Sequence, residues 1–131
     1  MPQHRSIERK EFLSDLLIQA CYHSGYGFAE VEWATKIDYT QDFADPFRAD
    51  ITDRYEEESA EIDDAHAGVH QVTIDTMARG INLIVKRLDL VSAEHRKRIM
   101  VASKANDASD LDVVDALAIL EIAIYGKVVY C

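Results

Sequence analysis

The chain has 131 residues, the length of one ordinary domain, and its 48% hydrophobic and 29% charged content is a globular balance that argues against a disordered or fibrous chain. A formal net charge of −10 repels nucleic acid and anionic membranes at long range, which leaves basic partners, cations or plain solubility as its uses. The two cysteines, Cys21 and Cys131, make no disulfide framework and point to a reducing compartment.

The polar stretch Met1 to Lys10 lacks the apolar core of an export signal. It leads into a first helix expected over Ser6 to Tyr22. Ser6 serves as N-cap, Leu13, Leu16, Leu17, Ala20 and Cys21 share one face, and Gly25 stops the helix in a left-handed conformation. Cys21 reads as a small core residue, and Cys131 as an unremarkable terminal thiol.

The period then changes from helical to alternating. From Phe28 to Tyr39, Val31, Trp33, Thr35, Ile37 and Tyr39 face one way and Glu30, Glu32, Ala34, Lys36 and Asp38 the other, the pattern of a half-buried strand. Asp45-Pro46 marks a turn. A second strand is expected over Arg48 to Glu57, with Ala49, Ile51 and Tyr55 on one side, forming an antiparallel hairpin with the first. A charged loop follows over Glu56 to Asp64, and a possible third strand over Gly68 to Val72.

Thr73 is the expected N-cap of a second helix running to about Leu88, whose stripe is Ile74, Met77, Ala78, Ile81, Val85 and Leu88. Gly80 inside it costs helix propensity and marks close packing. Ser92 caps a third helix reaching Lys104, with Ile99 and Val101 turned inward. After a polar loop from Asn106, Ser109 or Asp110 caps a last helix with Val113, Val114, Leu117, Leu120 and Ile124 inward. Gly126 ends it, and Val128-Val129-Tyr130 is apolar enough to join the sheet. The longest apolar run, Val113 to Tyr125, is too short and too charged to span a bilayer. The expected fold is one α+β domain over residues 1–131, a small antiparallel sheet with about four helices in the order α-β-β-(β)-α-α-α. A soluble, cytoplasmic protein is the corresponding expectation.

Charge is segregated along the chain. Between Asp42 and Asp64 ten acids face only Arg48 and Arg54, a local charge of −8. Between Lys86 and Lys104 six bases (Lys86, Arg87, Arg96, Lys97, Arg98 and Lys104) face Asp89 and Glu94, a local charge of +4. The two stretches can pair within a subunit or between subunits, and a homo-oligomer is expected. The plainer reading of each is a solvated face.

Four groups of residues can carry chemistry. Lys86, Arg96, Lys97 and Arg98 can hold a small anion such as a nucleotide phosphate, with Trp33 or Tyr26 stacking on the base. The same two basic helices resemble a helix-turn-helix in outline, against which the net charge counts. The acidic stretch, with Asp50, Asp53, Glu56, Glu57, Glu58 and Glu61, can engage a host protein as a mimic of DNA charge. His66 and His70, near Asp63, would share a metal only on a helix; on a strand, residues four apart lie about 13 Å from each other. Asp107, Asp110, Asp112 and Asp115 lack the glycine and distal glutamate of a calcium loop and read as helix capping. The chain has no phosphate loop, nucleophile elbow or zinc signature, and nothing implies a cofactor.

Several short stretches carry a family resemblance: Gly25-Tyr26-Gly27-Phe28 with Trp33-Ala34-Thr35, Val69-His70-Gln71-Val72-Thr73, Arg79-Gly80-Ile81, Asp110 to Ala116, and Tyr125-Gly126-Lys127-Val128-Val129-Tyr130. Together they cover about half of the chain and resemble small uncharacterised proteins of actinobacteria and their phages. That resemblance implies a phage-borne accessory role and brings with it no activity, ligand or site residue. The residues and the resemblance together suggest a self-associating, non-enzymatic binding protein, a counter-defence factor that sequesters a nucleotide-like anion or blocks a host protein. An acidic inhibitor, a small metal-dependent hydrolase using His66 and His70, and a DNA binder are the alternatives.

Overall fold

A computed structural model describes residues 5–25, 34–39, 48–53 and 69–129, with side chains over 5–20, 50–53 and 69–129. Three strands form one antiparallel sheet in the order β1 (Ala34–Tyr39), β2 (Arg48–Asp53), β3 (Val69–Thr73). Four helices stand in the described residues: α1 (Ile7–Gly25) before the sheet, then α2 (Ile74–Lys86), α3 (Ala93–Ala105) and α4 (Val113–Tyr125) after it. The α+β class and the element order are those expected from the sequence. The expected strand positions 28–33 and 54–57 lie outside the described residues.

In the first hairpin Ile37 faces Ile51 and Tyr39 faces Ala49, but the register slips between Ala34 and Lys36. The slip puts an extra residue, Thr35, in β1 and breaks the strict alternation expected along it. In the second pairing Ile51 faces His70 and Ala49 faces Val72. Ile51 of the central strand β2 and Val72 of β3 are fully buried, so the sheet contributes to the core through these two strands.

Ser6 caps α1 as expected: its hydroxyl accepts the Arg9 amide at 3.1 Å and its carbonyl accepts from Lys10. The helix extends to Gly25, three residues beyond the expected end at Tyr22. Leu13, Leu16, Leu17 and Ala20 are buried on one face, joined by Phe12. Arg9 extends α1 toward the far end of α3, where its Nη1 donates to the Ser103 carbonyl and hydroxyl and to Asn106 Oδ1 at 2.8–3.1 Å.

Thr73 caps α2 with a reciprocal box. Its hydroxyl accepts the Asp75 amide, and its own amide donates to Thr76 Oγ1 at 2.9 Å. The helix ends at Lys86, two residues earlier than the apolar stripe suggested, and the stripe is corrected accordingly. Ile84 is buried, Leu88 lies 76% exposed, and Val85 is also on the surface. Gly80 is a point of close approach: a side-chain carbon there would collide with the Ile119 carbonyl oxygen of α4.

Ser92 caps α3 through the His95 amide, and Asn106 closes it in the left-handed conformation with φ 51°. Inward residues of α3 are Ile99 and Ala102; Val101, expected inward, is exposed.

The cap of α4 is Asp112, not Ser109 or Asp110. Its carboxylate accepts the Asp115 amide at 3.0 Å, and its amide donates to Asp115 Oδ2. This helix is buried continuously from Asp115 to Ala123 and packs against both α1 and α2. A helix so largely apolar is a core helix, so the single inward stripe expected for it undercounts its contacts, while Val114, expected inward, is exposed. Gly126 ends it with φ 79° and returns its amide to the Ile122 carbonyl. The chain then folds back along α4, where the Val129 amide donates to Glu121 Oε1 at 3.0 Å. Val128 and Val129 therefore belong to no strand, contrary to expectation. Among the described residues no helix is long and apolar enough to cross a membrane.

Candidate anion-binding face

The basic run of α3 is divided by helical phase. At 100° per residue, His95 and Arg98 lie on the side of the buried Ile99 and Ala102, whereas Arg96, Lys97, Met100, Val101 and Lys104 lie on the other. The two sides have different fates.

On the inner side, Arg98 grips the fully buried carboxylate of Asp115 with two parallel bonds, Nε to Oδ2 at 3.0 Å and Nη2 to Oδ1 at 2.9 Å. His95 Nδ1 lies 2.9 Å from the same Oδ1. An ionised carboxylate only accepts, so it selects the tautomer with the proton on Nδ1. The 3.0 Å approach of Arg98 Nη2 to that nitrogen is then two donors converging on one oxygen. Burial pushes the Asp115 carboxyl up, but the bonds from Arg98, His95 and the Asp112 amide outweigh it and hold the group below the ordinary carboxylate range. The same pairing raises the Arg98 guanidinium above its ordinary value. Arg98 is thus a seam between α3 and α4 and is removed from the expected ligand set. Asp115 is more than the helix-capping acid expected of it.

On the outer side, Arg96 reaches back to the end of α2 and donates from Nε to the Ile84 carbonyl at 3.1 Å and from Nη2 to the Val85 carbonyl at 2.7 Å. These are terminal carbonyls that α2 itself cannot satisfy, and a cation there also opposes the negative end of the helix dipole. Lys97 and Lys104 are exposed, as is Lys86 at the last position of α2. Arg96, Lys97, Met100, Val101 and Lys104 line an open depression of about 400 Å³. Its apolar part is Met100 and Val101, the latter 60% exposed, and its polar part carries positive charge only. The expected set Lys86, Arg96, Lys97 and Arg98 therefore splits. Arg96 and Lys97 come together with Lys104, Lys86 sits on the neighbouring helix end, and Arg98 turns inward. Lys104 and the apolar pair Met100 and Val101 were missed as site residues. The signal for them was present: Lys97, Val101 and Lys104 stand at i, i+4 and i+7 opposite the buried Ile99 and Ala102.

Other expected site residues fall elsewhere. Asp53 is not a surface acid; it is fully buried and accepts a short hydrogen bond from the Tyr125 hydroxyl of α4. It sits two residues after Ile51 and so shares that residue's face of the strand, a phase the reading of the acidic stretch ignored. Asp50 is half-buried. His70 is half-buried, with its ring edge-to-face against Tyr125 at 5.5 Å between centroids and 76° between planes. Trp33, Tyr26, Glu56, Glu57, Glu58, Glu61 and His66 lie outside the described residues. Among the described residues no cluster of three His, Cys, Asp or Glu side chains can hold a metal.

Comparison with protein-family models, with curated proteins and with solved structures finds no match for this chain.

Proposed function

We propose that this chain is a binding protein that sequesters an anionic, nucleotide-like ligand on the outer face of α3. The observation that carries the reading is the depression of about 400 Å³ whose lining joins the cationic side chains Arg96, Lys97 and Lys104 to the apolar Met100 and Val101. Its size is in the range of small-molecule sites, and a largely apolar lining from which a few charged side chains rise is how such sites hold a ring and its phosphate together. An all-cationic lining on a molecule of net charge −10 gives the site a local field opposite to that of the whole. Arg96 adds rigidity: with Nε and Nη2 bonded to Ile84 and Val85, its guanidinium keeps one orientation, so less freedom is lost when an anion arrives.

The wider reading is a self-associating accessory protein of phage type acting in a host cytoplasm. It is supported by the resemblance given above and by the opposed charges of 42–64 and 86–104. Native mass spectrometry of gently purified protein reads subunit number and any retained ligand at once; a bare monomer would end both self-association and tight sequestration.

Calorimetry of the full chain against cyclic and linear nucleotides at low salt tests the ligand directly. Binding is expected to weaken with added salt and to be lost in the double substitution Lys97→Glu, Lys104→Glu. Flat titrations across the whole panel would sink the proposal. Retardation of duplex DNA by the same protein would move the reading to the helix-turn-helix alternative.

A further inference from the structure

The spacing of the charges in the depression says more about the ligand than their sign. Lys97 and Lys104 are seven residues apart on one straight helix, so they stand on nearly the same face, about 10 Å apart along the axis. Met100 and Val101 lie between them and line the same depression. At one end Lys97 has Arg96 beside it, fixed by its two bonds to the end of α2. Arg96 Nη1 makes no hydrogen bond among the described residues, so this end offers a guanidinium amino group and an ammonium together. At the other end Lys104 is the one cation of the lining among the described residues. The middle is apolar: a thioether side chain and an exposed valine.

Resting on the reading of this face as an anion site, we infer that its ligand is a two-ended dianion: two anionic groups about 10 Å apart, joined by an apolar or ring-bearing body. A compact polyphosphate does not meet this requirement. Its charges fall close together at one end of the depression, and its body is too polar for Met100 and Val101. Among nucleotides the geometry favours a linear dinucleotide type, with anionic groups spread along its length, over a mononucleoside triphosphate. The ends are unequal, so the more highly charged group belongs beside Arg96 and Lys97.

Linear alkane bisphosphonates isolate this property, because they vary the separation of two identical anions across an apolar chain. Three lengths are titrated into the full chain at low salt by calorimetry and by amide chemical shifts: one shorter, one matched to about 10 Å, and one longer. The matched compound is expected to bind about fivefold tighter than either of the others, the return of one well-placed exposed ion pair. Lys104→Ala is expected to erase the preference while weak binding at the Arg96 end persists. Lys104 is exposed and outside the core, so circular dichroism should show the variant folded. Equal affinity at all three lengths, or a length preference that survives Lys104→Ala, overturns the two-ended ligand and leaves anion capture standing. No binding by any of the three overturns both.

Discussion

Arg98 and Lys97 are neighbours in sequence with the same charge, yet they belong to different parts of the molecule's economy. Arg98 lies on the inner side of α3 and is bound bidentately to a carboxylate with no solvent exposure. Lys97 lies on the outer side, in the open depression. One step of 100° on a helix separates a cation that holds two helices together from one available to a ligand. A run of basic residues is therefore not a site; the part of the run that faces away from the core is the candidate.

The largest effect should come from the inner side. Asp115→Ala removes the acceptor for Arg98 and His95 and leaves that guanidinium turned toward the core. Arg98 keeps 30% of its side chain in water, so the cost falls below that of a fully buried pair and is about 2–3 kcal/mol, the loss of charge-assisted hydrogen bonds, which urea denaturation would read directly. Wild-type binding strength in whatever fraction stays folded would agree with the division of labour. Loss of binding ahead of unfolding would break it.

The same carboxylate sets a pH dependence. Its folded value lies below the ordinary one, so its contribution is complete above the unfolded value, about 3.9. It is lost as pH falls through the lower folded value. Many other acids titrate in the same window, so the informative quantity is the difference in stability between wild type and Asp115→Asn. That gap should be constant at neutral pH and close on acidification below about pH 4. A gap independent of pH would mean that the carboxyl titrates alike in the folded and unfolded chains, so that its bonds to Arg98 and His95 do not favour the ionised form.

Tyr125→Phe comes next in size. It removes the hydroxyl that donates to the buried Asp53, at a cost of about 1–3 kcal/mol. This is the sheet-side counterpart of the Asp115 seam: an acid of the sequence's most negative stretch used to tie β2 to α4. No loss of stability would show that Asp53 is not held there.

What could be read in the sequence was whatever depends on local period. The helix caps Ser6, Thr73 and Ser92, the helix stop at Gly126 and the close approach at Gly80 all follow from local chemistry, and all are present. Thr73 and Gly80 were legible because a hydroxyl before an apolar stripe and a missing side chain inside one each have few uses. The core face of α1 was legible for the same reason. What was not legible depends on partners distant in sequence. Val101 and Leu88 look like core residues until the ends of the helices and the faces of their neighbours are known. Asp53 and Asp115 look like surface acids until Tyr125 and Arg98 are found beside them. The α4 helix hides its burial, because a central helix has no polar face to betray the direction of the core. For the candidate site, Arg96 and Lys97 were named from the charge run alone, and Met100, Val101 and Lys104 required the phase of α3.

The smallest effects on stability are expected on the outer side, and there the comparison is sharpest. Arg96→Ala should cost about 1 kcal/mol, because its guanidinium satisfies two terminal carbonyls of α2. It should also weaken anion binding, since Arg96 serves the fold and the depression together. Lys97→Glu touches neither core nor cap and should change stability by less than about 0.5 kcal/mol, and Lys104→Gln, which puts no carboxylate at the negative end of α3, by a similar amount, while each weakens the positive charge that the depression presents. The three substitutions make a graded series in which stability and binding separate: Arg96 affects both, Lys97 and Lys104 affect binding alone. Thermal denaturation and calorimetry on the same samples would read the two quantities independently. If Lys97→Glu destabilised the fold as much as Arg96→Ala, the outer lysines would be part of the scaffold, and the distinction between the two sides of α3 would fail.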